Sequence, residues 1–264
     1  MITGVNEKEV RSYQHTMRTK AKHPKRKIVL ITVLAVIILC DICGFLYIND
    51  YYKASAEVDD YLTKGENVSV TTIDSGLFLD GPGSANALIF YPGAKVKYTS
   101  YVPLMYKLAE NGLDVFIIDM PYNLAFFGIN KADDILSKYS YDHMYLGGHS
   151  LGGAMAALYA ARHADSGNLD GLILLAAYPT QSLASSNLRV LTIYGSEDKV
   201  LNMDKIASGR SLMPTNATET VIEGGNHAQF GCYGEQKGDG TALISAEEQW
   251  EQTATAILQM VGIE

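Results

Sequence analysis

The hydrophobic pattern of the chain separates one long apolar segment near its amino terminus from a series of much shorter apolar runs. Ile28–Ile48 holds 21 residues with a single charge, Asp41. A helix of that length rises about 31 Å, which matches a bilayer core of about 30 Å. The segment therefore predicts a transmembrane helix.

The short runs predict an α/β fold. Val68–Ile73 alternates and, after a turn at Asp74-Ser75-Gly76, Leu77–Leu79 resumes, which indicates a hairpin. Continuous apolar runs, typical of strands buried on both faces, are Ala87–Tyr91, Val115–Ile118, His143–Leu146, Leu172–Ala176, Val190–Tyr194 and Thr220–Ile222. Helical stretches lie between most of these runs. This alternation predicts a mostly parallel sheet with helices on both faces.

Three of the predicted helices carry recognisable signals. Ser100 is a candidate N-cap for a helix that stops at Gly112. Leu151–His163 is rich in Ala and predicts a closely packed helix. Ser245 and Glu248 form a capping box ahead of a last helix, whose apolar stripe is expected to dock on the sheet.

The chain is divided accordingly into four parts. Residues 1–27 form a basic tail, residues 28–48 the membrane anchor, and residues 67–264 the α/β domain. The polar, Tyr-rich residues 49–66 have no clear period and are interpreted as a stalk.

Charge predicts the orientation of the anchor. Residues 1–27 hold eight Lys or Arg and two Asp or Glu, a net charge of +6, whereas the rest of the chain carries −14. The positive-inside rule places the amino terminus in the cytoplasm and the α/β domain outside the cell membrane. An acidic domain also argues against nucleic acid as the main partner.

Two other interpretations of the apolar segment stay open. Ala54-Ser55-Ala56 has the small-x-small form of a signal-peptidase site, so cleavage after Ala56 is an alternative to an uncleaved anchor. The apolar run is longer than the 7–15 residues of a signal-peptide core, which favours the anchor. A buried core helix is the third interpretation.

Cysteine content points away from disulfides and thiolate metal sites. Cys40 and Cys43 lie in the apolar segment, and Cys232 is the only cysteine of the domain. No disulfide can form within the domain, and we expect Cys232 to be a buried structural thiol. No metal cluster, GxxxxGK or dinucleotide fingerprint appears, so no cofactor is predicted.

Ser150 is the candidate nucleophile. It lies in Gly148-His149-Ser150-Leu151-Gly152, between a predicted strand and the Ala-rich helix. A GxSxG sequence in that context is typical of a nucleophile elbow. The N-terminus of the following helix would then direct free N–H groups at an oxyanion.

A candidate acid and base follow later strands. Asp198 is the candidate acid, in the stretch Gly195-Ser196-Glu197-Asp198 that follows Val190–Tyr194, with Glu197 as the rival carboxylate. His227 follows the last strand and can take and return the serine proton. The chain order Ser150, Asp198, His227 is that of α/β-hydrolases.

The chain resembles the α/β-hydrolase superfamily over about residues 67–264. The stretches that carry the resemblance are FYPGAKV (90–96), MPYNLAFF (120–127), GGHSLGGAMAA (147–157), IYGSEDKV (193–200) and EGGNHAQFG (223–231). The chain looks most like small, cap-less bacterial members related to dienelactone hydrolases. The resemblance implies Ser150 as nucleophile, Asp198 as acid and His227 as base. Dienelactone hydrolases use Cys at the elbow, so Ser150 favours ordinary esters over lactones.

The oxyanion hole is predicted from position. One donor is the N–H of Leu151, the residue after the nucleophile, and the other comes from the loop after Ala87–Tyr91. The family usually has His-Gly there, whereas this chain has Pro92-Gly93, and Pro92 has no N–H. Ala94 is the predicted second donor, with Lys95 as the alternative.

The sequence as a whole predicts a membrane-anchored serine esterase without a large lid. Asn123, Phe126 and Phe127 are candidates for an acyl pocket, although the two Phe residues fit a core role equally well. A small or lipid-like ester is the expected substrate. The alternatives are acyl transfer to an envelope acceptor and a non-catalytic binding protein with the same fold.

Overall fold

The computed structural model of the chain describes residues 6–18, 24–65, 67–83, 85–164 and 166–263. It divides into two units, which meet in the sequence at Asn49 and Asp50. The described part of the first unit consists of helices α1 (Glu7–Arg18) and α2 (Pro24–Asn49).

Helix α2 contains the predicted transmembrane segment. In the described part of the chain, it is the one helix long and apolar enough to cross a membrane, over Lys25–Asn49, with a mean hydropathy of 2.9 in its most apolar window. None of that window is buried by protein, so a buried core helix is excluded for this segment.

The second unit is built on an eight-stranded sheet. The strands are β1 (Ser69–Ile73), β2 (Gly76–Asp80), β3 (Asn86–Tyr91), β4 (Leu113–Ile118), β5 (His143–His149), β6 (Gly171–Leu175), β7 (Arg189–Gly195) and β8 (Thr218–Ile222). Their spatial order is β1-β2-β4-β3-β5-β6-β7-β8. The hairpin β1–β2 and the pair β2–β4 are antiparallel, and every later pair is parallel. The predicted fold class is confirmed.

Helices cover both faces of the sheet. Those of the second unit are α3 (Val58–Thr63), α4 (Val102–Glu110), α5 (Ala132–Leu136), α6 (Leu151–Arg162), α7 (Met203–Gly209) and α8 (Ala246–Val261). Strand β3 is buried on both sides: Leu88 and Phe90 belong to the core under α4 and α8, and Ile89 and Tyr91 to the core under α5 and α6. This explains why the β3 sequence is continuously apolar.

The helix signals are confirmed in part. The Ser245 hydroxyl accepts from the Glu248 N–H at 3.1 Å at the start of α8, and Gly112 takes a left-handed φ of 90° after α4. The predicted cap at Ser100 is wrong. The N-cap of α4 is Tyr101, because a 3₁₀ turn over Tyr98–Tyr101 leads directly into the helix and buries Ser100.

The interpretation of residues 49–66 as a stalk does not match the structure, which includes residues 50 onward in the compact unit. Tyr52 pairs with Val96 in a parallel bridge. Val58 of helix α3 is buried in the core, and Tyr61 packs edge-on against Tyr106 and Trp250. The α/β unit therefore begins directly after helix α2, and the boundary lies at residue 50 rather than 67.

Cys232 is a buried free thiol, as predicted. Its Sγ donates to a Glu57 carboxylate oxygen at 3.5 Å. Burial is the main reason that the pKa of Cys232 rises to about 11, and a thiol with a raised pKa is a poor nucleophile. The contact also joins the segment ahead of α3 to the loop after His227.

Candidate active site

Ser150 stands in a sharp turn between β5 and α6. Its backbone has φ 53° and ψ −120°, a strained combination for a residue with a side chain, which typically costs about 1–3 kcal/mol. The turn is tight, because a Cβ on Gly152 would lie 2.1 Å from the Tyr91 carbonyl oxygen. The Ser150 N–H donates to the Leu175 carbonyl at 2.9 Å. The strand–turn–helix context predicted for Ser150 is therefore present.

Asp198 and His227 form a buried hydrogen-bonded pair. An Asp198 carboxylate oxygen (Oδ2) lies 2.8 Å from His227 Nδ1, and both residues are less than 10% exposed. The other oxygen of Asp198 accepts the backbone N–H groups of Val200 and Leu201, each at 2.8 Å. These bonds fix the carboxylate, which in turn orients the imidazole so that Nε2 is the nitrogen left for chemistry.

Glu197 does not share this arrangement. Its side chain receives a 3.3 Å bond from the neighbouring Ser196 hydroxyl, and its N–H donates to the Gly225 carbonyl at 2.8 Å. Of the two carboxylates that the sequence left open, the structure brings Asp198 to His227.

The His227 loop is held by three polar side chains. Gln249, fully buried on α8, accepts from the Asn226 N–H at 3.0 Å and donates to the Asn226 carbonyl at 2.8 Å. Asn226 itself donates to the Gly240 carbonyl, and Asp239 accepts the Ala228 N–H, both at 2.8 Å. The loop around the candidate base is therefore fixed from both sides.

The two predicted oxyanion donors are free to act. Among the described contacts, neither the Leu151 N–H nor the Ala94 N–H donates to a protein acceptor. The Lys95 N–H, the alternative donor, is already bound to the Asn123 carbonyl at 2.8 Å. The geometry thus favours Ala94 over Lys95.

A buried network supports the loop that carries Ala94. The Gly93 N–H donates to the Tyr101 hydroxyl at 3.0 Å, and that hydroxyl lies 2.8 Å from His149 Nδ1. The Tyr101 hydroxyl therefore joins the Gly93 N–H to the His149 ring. A Cβ on Gly93 would meet both rings at 2.8–2.9 Å, so only glycine fits there.

His149 lies between the two halves of the site. Its ring centroid is 4.5 Å from that of His227. Burial and, second, the proximity of His227 lower the pKa of His149 well below its usual value. A neutral His149 ring follows, which does not repel a proton on His227.

Sequence reasoning missed Tyr101 and Gln249. Tyr101 sits in a segment with no motif, and only its position before α4 brings it under the loop after β3. Gln249 could have been predicted as a supporting residue, since it is a polar residue beside the buried apolar stripe of α8. Such a residue must find partners inside the protein.

The predicted pocket segment is exposed. Phe126 and Phe127 have 62% and 58% of their surfaces accessible, so the core role considered for them is wrong. Asn123 has a positive φ of 54° and holds the Lys95 N–H through its carbonyl. These residues border the loop after β3. Within the described residues, no group of three metal-binding side chains occurs.

A model of the alpha/beta hydrolase family matches residues 87–251, well over half of the chain. The chain belongs to the alpha/beta hydrolase family. This confirms the predicted fold family and hydrolase class. No curated protein sequence matches the chain. The resemblance to dienelactone hydrolases in particular stays a prediction.

Solved structures share the fold at low identity. A predicted CIB-like hydrolase from Thermoplasma acidophilum has 16% identity and a TM-score of 0.55, covering 74% of this chain and 100% of its own. Carboxyl esterase 2 from Tuber melanosporum has 12% identity and a TM-score of 0.54, covering 78% and 91%. Naproxen esterase from Bacillus subtilis has 13% identity and a TM-score of 0.53, covering 77% and 95%.

Proposed function

We propose that this family member is a membrane-anchored serine hydrolase that cleaves carboxylic esters through an acyl-enzyme on Ser150. The observation that carries the proposal is the 2.8 Å bond between Asp198 and His227 at the sheet edge where β5 delivers Ser150. The esterase names of two structural neighbours agree with it.

In the acylation step, the Ser150 oxygen attacks the ester carbonyl carbon while His227 Nε2 takes the hydroxyl proton. The carbonyl oxygen becomes an anion and accepts the N–H groups of Leu151 and Ala94. Asp198 stabilises the imidazolium. When the intermediate collapses, the bond from carbon to the alkoxy oxygen breaks and His227 gives its proton to the leaving alcohol.

In the deacylation step, His227 takes a proton from water as the water oxygen attacks the acyl carbon. Collapse of the second intermediate breaks the bond to Ser150, and the imidazolium returns the proton to the serine oxygen. The products are a carboxylic acid and an alcohol, and the enzyme is regenerated.

The membrane part of the proposal rests on helix α2 and on charge. The helix is long and apolar enough to span, and the basic residues lie on its amino-terminal side. We propose a single pass with the amino terminus in the cytoplasm. Protease added to intact cells is expected to digest the α/β unit and spare the tail.

The test of the chemistry uses the full chain in detergent with p-nitrophenyl esters of increasing acyl length. We expect saturable hydrolysis that Ser150→Ala abolishes. Repeating the assay with added alcohol or amine acceptors separates hydrolysis from acyl transfer, because a transferase forms a new ester or amide in place of free acid. A full chain that hydrolyses no ester and transfers no acyl group would contradict the proposal.

A further inference from the structure

Three exposed aromatic side chains form a cluster on the α/β unit. Tyr122, Phe126 and Phe127 are each more than half exposed, and their rings meet edge to face, with centroids 5.7 Å apart for Tyr122 and Phe127 and 5.5 Å for the two Phe. The other described aromatic side chains of this unit are buried or half-buried. An apolar cluster that stays exposed marks an interaction surface.

The aromatic cluster borders the candidate active site. The Asn123 carbonyl holds the Lys95 N–H at 2.8 Å, which joins the cluster to the oxyanion loop. The Tyr91 hydroxyl, at the end of β3, donates to the Ile129 carbonyl at 2.7 Å. The 3₁₀ segment Ala125–Lys131 also packs on α6, the helix that begins after Ser150. A surface that engages the cluster would thus lie beside the nucleophile.

The same oxyanion loop is tied to the residues that directly follow helix α2. The Tyr52 N–H donates to the Lys95 carbonyl at 2.7 Å, and the Tyr52 carbonyl accepts the Lys97 N–H at 2.9 Å. The Lys95 ammonium bonds the Asp50 carboxylate at 2.7 Å. Asp50 is the next residue after Asn49, where α2 ends, and consecutive Cα atoms are about 3.8 Å apart. Covalent connection alone therefore keeps this loop near the end of the helix, whatever angle the helix takes.

We infer that Tyr122, Phe126 and Phe127 insert into the interfacial layer of the bilayer that holds α2, and that the substrate is an acyl ester of a lipid in that membrane. Tyr is enriched in this layer, and Phe is among the apolar residues that interfacial segments bury there. Insertion would remove the cluster from water and place the site mouth at the depth of lipid ester groups. This inference rests on the proposed esterase activity and anchoring. It adds that the bilayer covers the aromatic cluster and that the substrate is a lipid ester.

The binding test uses the full chain in phosphatidylcholine vesicles with brominated acyl chains, which quench nearby tryptophan. Phe126→Trp adds a probe to the cluster. Leu243→Trp is the matched control, because Leu243 is an apolar residue with 76% exposure outside the cluster. The native Trp250 is buried at 4% exposure and gives the same background in both. We expect brominated lipid to quench most of the emission added by Phe126→Trp and little of that added by Leu243→Trp.

Two further readouts separate the inference from the function on which it rests. Resistance to alkaline carbonate extraction reports anchoring, and fluorophosphonate labelling reports the serine. If the chain resists extraction and Ser150 is labelled, but the fluorescence added by Phe126→Trp is not quenched, insertion of the cluster into the bilayer is overturned. Emission shifted to the blue without quenching would also overturn it, because a protein partner or second copy would then cover the cluster.

The substrate test compares two esters with the same preparations. For the paired variant Phe126→Ser and Phe127→Ser, we expect fatty-acid release from a vesicle-embedded ester to fall about tenfold relative to hydrolysis of soluble p-nitrophenyl acetate, since burial of such side chains contributes strongly to partition. Leu243→Ser should leave that ratio unchanged. If the paired variant kept the same ratio of vesicle-ester to soluble-ester hydrolysis as the unaltered chain, the assignment of a membrane lipid as substrate would be overturned.

Discussion

The His227 loop and the oxyanion loop lie at the same sheet edge and are held by different kinds of contact. The first is held by the side chain of Gln249, which bonds the backbone of Asn226, and by Asp198, which bonds the His227 imidazole. The second presents a backbone N–H. It is held by backbone hydrogen bonds with Tyr52 and by the hydroxyl of Tyr101, eight residues after Gly93. The acid–base half of the site therefore depends on the identity of particular side chains, whereas the oxyanion half depends on the path of the backbone.

Removal of the nucleophile or the base is the strongest test of the acid–base half. Ser150→Ala and His227→Ala should each lower kcat at least about 10⁴-fold, and the double variant should be little worse than either, because the two residues act as a unit. Steady-state kinetics on a soluble ester measures this. Additive losses would indicate that the two side chains act independently.

The identity of the acid is tested at two neighbouring carboxylates. Asp198→Asn should reduce kcat about 10³–10⁴-fold, since the amide leaves the imidazole in the wrong tautomer. Glu197→Gln is the matched control and should retain nearly full activity, because its side chain bonds only its neighbour Ser196 in the described contacts. The reverse outcome would move the acid by one residue.

The contrast between side-chain and backbone contacts also explains which parts of the fold and of the site could be predicted from the sequence. Strands β3, β4 and β6 are visible because they are buried on both faces, so that most of each is an apolar run, as in Ala87–Tyr91 and Val115–Ile118. Ser150 and His227 are visible because each follows a predicted strand, β5 for Ser150 and β8 for His227. The packing of residues 50–65 is not visible, since Tyr52 forms its bridge to Val96 through backbone hydrogen bonds with Lys95 and Lys97. Such bonds leave no mark on residue type.

Within the oxyanion half, a backbone donor is removed only by proline. Ala94→Pro deletes the N–H and should lower kcat about 10²–10³-fold. Ala94→Gly keeps the donor and should retain most activity, which controls for the loss of the methyl group. A folded Ala94→Pro enzyme, judged by circular dichroism, with unaltered turnover would exclude Ala94 from the hole.

A smaller loss of activity is expected when the hydrogen bond that supports the oxyanion loop through Gly93 is removed. Tyr101→Phe removes the hydroxyl that accepts the Gly93 N–H and bonds His149 Nδ1. We expect kcat to fall about fivefold with KM little changed, since the lost bond to the Gly93 N–H, which supports the oxyanion loop, is worth roughly 1 kcal/mol. Tyr106→Phe, another buried tyrosine on this face, is the control. Equal kcat in both variants would contradict a positioning role for Tyr101.

The central claim is that His227, held by Asp198, activates Ser150, and covalent labelling tests it most directly. The full chain is treated with a fluorophosphonate, and the modified peptide is identified by mass spectrometry as a function of time. We predict a single adduct on Ser150 in the unaltered protein and a much slower formation of that adduct in His227→Ala. An adduct on another residue, or equal labelling rates with and without His227, would contradict the account.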